Sequence, residues 1–271
     1  MQSYGLPSAI LWVILDFVKW QMLLKKYTYE GDDTLRVLSV DFDYFINADI
    51  SFKIKYFPDG LELVNETVDR IVWANHYAFA KRVGEDFLSI GVDMESLEYV
   101  RDIILGQHNS TIVIADSHEH IYDFVKDSYC DGNSINIEVY NIDFHHDVYN
   151  YESVIDDENV NCGNWLRALI DNDIISSAYW LCRNDSDKRG NDGYCAIITL
   201  EELPRENFDL VFICKSSSWT PPHLDEFFVD YLVTPVFQNR SRYEGAFQKG
   251  IDKSRYDDNF IEMIDQIYGK H

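Results

Sequence analysis

Apolar residues gather in short, nearly continuous runs: RVLSVDF (36–42), TIVIAD (111–116), INIEVYNID (135–143), IISSAYWLC (174–182), CAIITL (195–200) and DLVFICKS (209–216). Runs of this length and β-branched content predict strands covered on both faces of a sheet. Between them, apolar residues recur at helical spacing over 61–82, 94–105, 120–127, 164–172 and 222–232. Strands alternating with helices predict an α/β domain, a three-layer αβα arrangement around a mainly parallel sheet. The polar, glycine-bearing stretches 156–164 and 184–194 read as surface loops. With no repeat and no low-complexity linker, 1–271 reads as one domain, with 1–30 as an N-terminal helical extension. Asp16 and Lys19 interrupt that apolar extension, which is too short to span a bilayer and lacks the basic flank of a signal peptide.

Composition narrows the class. The chain is 46% apolar and 15% aromatic, as a folded protein with a substantial core should be. A net charge of −24 argues against a nucleic-acid partner and favours cationic ligands: metal ions, amines, guanidinium groups or basic peptides. Five dispersed cysteines, odd in number and without a CxxC pair, form neither a disulfide framework nor a zinc knuckle. They suit a reducing compartment, and the cytoplasm is the expected location.

In open α/β sheets, ligands bind beyond the carboxyl ends of the strands. Three polar clusters fall there. In NIDFHHDVYN (141–150), Asp143, His145 and Asp147 are spaced by two, so an extended chain directs two carboxylates and an imidazole at one point, with His146 turned away. In LSVDFDYF, Asp41 and Asp43 repeat that spacing at the end of 36–42. The run TIVIAD ends at Asp116, with His118 and His120 in the turn that follows. Aspartates buried without a partner are strongly disfavoured, and a bound cation removes the cost. A set rich in carboxylates and free of thiolates suits hard divalent ions, and the imidazoles move the balance towards manganese or iron(II). Six ligands exceed what one ion needs, so a metal pair with shared carboxylates is expected. Taken singly, two of the clusters also have a plain reading, chance for DxD and a helix N-cap with solvated histidines for SHEH, while a histidine flanked by two aspartates, as in DFHHD, rarely serves packing.

These residues match a known family. DFHHD resembles the D-x-H-x-D motif of ureohydrolases, the arginase and agmatinase group, and SVDFDYF resembles their S-x-D-x-D motif through Ser39, Asp41 and Asp43. SHEH resembles the region that supplies one further histidine ligand. The motif order, with CGNWL (162–166) and SSSWTPPHLDEFF (216–228), is similar to a divergent branch that includes the peptide arginases of ribosomal-peptide biosynthesis. The resemblance covers roughly 36–228 in blocks. It implies an arginase/deacetylase-like fold and two Mn2+ ions per chain, held by Asp41, Asp43, His118, Asp143, His145 and Asp147. His118 is favoured over His120 because it lies closer to the strand end. It implies hydrolysis of arginine side chains in a precursor peptide to ornithine and urea, with Asp147 or Asp43 passing the proton to the leaving amine. Glu119, Asn164 and Trp219 are the expected substrate contacts, although Asn164 and Trp165 read equally as a helix N-cap and a core tryptophan. The branch carries an acid just before the tryptophan of its last block; here Ser218 stands there, leaving Glu119, Asp225 and Glu226 to grip the guanidinium. The alternatives are an amide deacetylase of the same fold with one zinc, an inactive peptide-binding relative, and an aspartate-nucleophile phosphatase built on DFDYF.

Overall fold

The computed structural model describes residues 34–58, 66–107, 110–128, 136–149, 159–205, 208–239 and 255–269. The expected N-terminal helix at 1–30 lies outside the described residues, as does the start of the helix expected over 61–82.

Six strands form the main sheet: β1 (Thr34–Asp41), β4 (Thr111–Ala115), β5 (Asn136–Ile142), β6 (Ser177–Leu181), β7 (Ala196–Ile197) and β8 (Leu210–Cys214). Their order is β4-β8-β1-β5-β6-β7, and every pairing is parallel. A separate antiparallel pair joins β2 (Ile46–Asn47) to β3 (Gly91–Val92). Alternation along each strand splits the core in two. Leu38, Val40, Ile112, Ile114, Val211 and Ile213 face one side. There they meet α2 (Glu66–Arg82), α3 (Met94–Gly106) and the helical run that begins at Pro222. Val37, Val113, Ile137, Val139, Phe212 and Cys214 face the other, against α4 (His120–Ser128) and α5 (Trp165–Asp171). The expected three-layer arrangement with a parallel sheet is therefore present.

Several boundaries differ from the expectation. The strand expected over 195–200 shrinks to two exposed edge residues, because Thr199 caps a 3-10 turn over Leu200–Glu202. A short helix, α1 (Ile50–Tyr56), was not expected; its apolar residues are too few and too mixed with lysines to signal helical period. The helix expected over 222–232 opens as a 3-10 turn, passes through α and π segments, and runs on through α6 (Thr234–Asn239). The wide π turn precedes Pro235, which has no N–H to donate back along the helix. A last helix, α7 (Asp258–Tyr268), packs along α2 and is tied to it by the Arg82–Asp265 ion pair at 2.9 Å. Among the described residues, no helix is long and apolar enough to cross a membrane.

What matters for the site is register. Asp41 pairs with Cys214, Cys214 with Ala115, and Val40 with Ile142, so the carboxyl ends of β4, β8, β1 and β5 lie level. From β1 the chain crosses first to β4 on one side and later to β5 on the other, making β1 the switch point where such sheets open a crevice.

Candidate metal centre

Asp41 closes β1 and caps the 3-10 turn Phe42–Phe45, its Oδ1 accepting from the Asp43 N–H at 3.1 Å. Asp43 sits on that turn, so a tight turn rather than strand alternation aims both carboxylates into the crevice. The same correction applies to the opposite strand. β5 ends at Ile142, and residues 143–149 bend, with Asp147 in the left-handed region at φ 53°. A non-glycine residue there costs on the order of 1–3 kcal/mol, a strain that the surroundings must hold in place. Asp143 and Asp147 also bend back far enough for the Asn141 amide to donate to both, at 3.3 and 3.4 Å.

The bend splits the cluster. His118 Nδ1 lies 3.2 Å from Asp41, 3.3 Å from Asp143 and 3.3 Å from Asp147. His145 Nδ1 lies 3.0 Å from Asp43 and 3.7 Å from Asp143. Asp143, His145 and Asp147 thus do not meet at one point, as even spacing predicts; they serve two neighbouring points, with Asp143 between them. Groups able to hold an ion gather accordingly: Asp43, Asp143 and His145; His118, Asp143 and Asp147; and Asp41, His118 and Cys214. The carboxylates and His118 are buried, while His145 keeps some contact with solvent. His120 lies apart, half-buried at the start of α4 beside Glu119.

Whether a metal fits is a question of charge. His118 Nδ1 can carry one proton, yet three carboxylates crowd it within 3.3 Å. At most one of them gains a full hydrogen bond, and the others are left as close, buried like charges. Burial, then the neighbouring Asp41 and Asp143, push the Asp43 carboxyl up to about 7. Burial and Asp143 likewise raise Asp147 well above the usual range. Burial opposes charge on His118, but the hydrogen bonds to Asp143 and Asp41 outweigh it and raise its pKa. A divalent cation at each point removes the repulsion directly, so the donor set fits one.

Side chains behind the cluster fix its orientation. Ser39 Oγ meets His118 Nε2 at 2.6 Å, and the Trp165 indole donates to Asp147 at 2.7 Å. Ser216, itself left-handed at φ 48°, donates to Asp41. The Trp180 indole donates to the Asp143 carbonyl at 3.0 Å. Ser39, Trp165 and Ser216 lie in the motif blocks read from the sequence, which does not show their supporting roles, whereas Trp180 and Asn141 lie outside the matched motifs. His146 is turned away as expected, accepting from the Val148 N–H through Nδ1 at 3.1 Å and meeting the Arg189 carbonyl through Nε2.

A cavity of about 490 Å³ opens onto the cluster, a size suited to a small molecule or one inserted side chain. Its floor is Asp41, Asp43, His118, His145 and Asp147, and its walls include Lys53, Phe57, Tyr149 and Trp219. Trp219 lines it, edge-on to His145 at 5.6 Å. Asn164 does not line it; the neighbouring Cys162 and Gly163 do, while the Asn164 amide is bound within its own loop to Asn161 and Asn159. None of Glu119, Asp225 and Glu226 reaches the described wall, and Asp225 is buried between Lys215 at 3.2 Å and Arg255 at 2.9 Å. Compared with known protein families, curated proteins and solved structures, the chain finds no match.

Proposed function

We propose that the protein is a binuclear-metal hydrolase that cleaves a guanidinium C–N bond, with two Mn2+ ions as its cofactor and an arginine side chain of a precursor peptide as its substrate. The observation that carries this reading is the sharing of Asp143 between two histidine-carboxylate sets. One point would be held by His118, Asp41, Asp143 and Asp147, the other by His145, Asp43 and Asp143. The motif resemblance to ureohydrolases supports manganese and the guanidinium, since nothing in a carboxylate set alone names the bond broken.

Bound there, the two ions would supply Lewis acidity and bring the pKa of a water towards neutrality. The chain's own groups do the rest. Trp219, on the cavity wall beside the His145 ring, offers an indole face on which a planar guanidinium would stack. Asp41 and Asp143 are held by Ser216 and Asn141, so the floor does not have to reorganise as charge develops. Asp43 and Asp147, on the floor of the cavity, would pass a proton to the departing amine. The acidic surface draws cationic substrates towards the opening.

The test is urea release from the manganese-loaded protein, offered arginine-containing peptides, free arginine and agmatine. Urea with a matching ornithine residue supports the reading. Acetate from an acetyl-lysine peptide in place of urea would move the assignment to amide hydrolysis.

A further inference from the structure

Lys53 lies in the middle of α1 with 6% of its surface exposed, on the wall of the cavity. Lysine is rarely buried to this degree without a purpose for its charge. Its Nζ donates to Asp185 Oδ2 at 3.1 Å and stands 3.7 Å over the Phe144 ring. An ammonium has three N–H donors, and among the described residues Asp185 and Phe144 are the groups that its Nζ contacts. Asp185 is also shared, its other oxygen taking the Arg183 side chain at 2.8 Å. Phe144 sits between the ligand-type residues Asp143 and His145, so the ammonium lies beside the floor without touching it.

A cation here is the wrong sign for a guanidinium. It suits an acceptor oxygen at the far end of the same substrate. We infer that Lys53 determines specificity at this site, its ammonium receiving an oxygen that the substrate carries beyond the guanidinium, either a carboxylate or a main-chain carbonyl. The inference rests on the guanidine-hydrolase reading and adds to it the part of the substrate that is recognised. A plain latch between α1 and the end of β6 would use Asp185 alone and would be indifferent to what the substrate carries.

The experiment compares three guanidines in the manganese-loaded protein: agmatine, which has no acceptor; free L-arginine, which has a carboxylate; and Nα-acetyl-arginine amide, which has only carbonyls. Lys53→Met should raise KM roughly ten- to hundredfold for the acceptor-bearing substrates, the range for a hydrogen bond from a charged donor, and leave agmatine unchanged. Binding of putrescine, L-ornithine and Nα-acetyl-ornithine amide, measured by calorimetry, should follow the same order. A preference for the amide assigns a peptide carbonyl, and a preference for free arginine assigns a carboxylate. Asp185→Asn cuts the latch but keeps the ammonium, and it should keep the acceptor preference even if Lys53→Met folds poorly. Equal losses for all three guanidines, or loss of preference in Asp185→Asn, would overturn the role given to Lys53. If no guanidine is hydrolysed, the hydrolase reading fails, and the binding series still decides for or against Lys53.

Discussion

Ser39 Oγ lies 2.6 Å from Nε2 of His118, on the side of the ring opposite the three carboxylates. A hydroxyl there can accept from Nε2–H and orients the ring with Nδ1 facing the cluster, where it would serve as a metal donor. Ser39→Ala should lower metal affinity roughly 10- to 100-fold, as removal of such supports does, while barely changing the far-ultraviolet circular dichroism. Titration of the metal-free protein with manganese checks this, and unchanged affinity would remove Ser39 from the site.

Asp143 offers one oxygen to each histidine, at 3.3 Å and 3.7 Å. Asp143→Asn should therefore disturb both metal points. Asp147→Asn should weaken only the His118 side, and Asp43→Asn only the His145 side. Metal counted per chain in each purified variant distinguishes them: nearly none for the first, about one for each of the others.

The Asp43 carboxyl titrates at about 7 in the metal-free fold, through burial and then the charges of Asp41 and Asp143. In the folded chain it keeps a proton that the unfolded chain has lost above the ordinary aspartate range near 3.8. Its contribution therefore makes metal-free stability fall as pH rises from about 4 to about 7. A metal must displace that proton below neutrality, so binding weakens as pH falls through 7. The rise in Tm on adding manganese should be larger at pH 8 than at pH 6; an equal or inverted rise would contradict the assignment.

Arg255 closes the loop that carries Ser216 and Trp219. Its guanidinium donates to Asp225, Asp69, and the carbonyls of Ser217 and Thr220, with 9% of its side chain exposed. Arg255→Met strands the buried Asp69 carboxylate and leaves Asp225 with Lys215 alone, and should cost about 3–5 kcal/mol of unfolding free energy by denaturant titration. Trp219 fluorescence in the native baseline should shift with it.

The sheet was legible because its strands are continuous apolar runs, and the buried Asp/His cluster was legible because aspartate and histidine at strand ends are hard to explain by packing. Even spacing led to the wrong local geometry: Asp43 sits on a 3-10 turn and Asp147 in a left-handed bend. Period-two reasoning cannot see a turn that begins one residue after the strand. Lys53 and Arg255 were not legible at all. Each acts through partners distant in sequence, Asp185 for one, Asp69 and Asp225 for the other, and a single charge in a sequence does not announce such a partner.

On the proposed reading, a pair of metals surrounds Asp143. The most direct measurement is elemental analysis of the protein purified without chelators from manganese-supplemented cells. About two manganese ions per chain is the predicted result. A single zinc, or no metal even after manganese is added back, would contradict it.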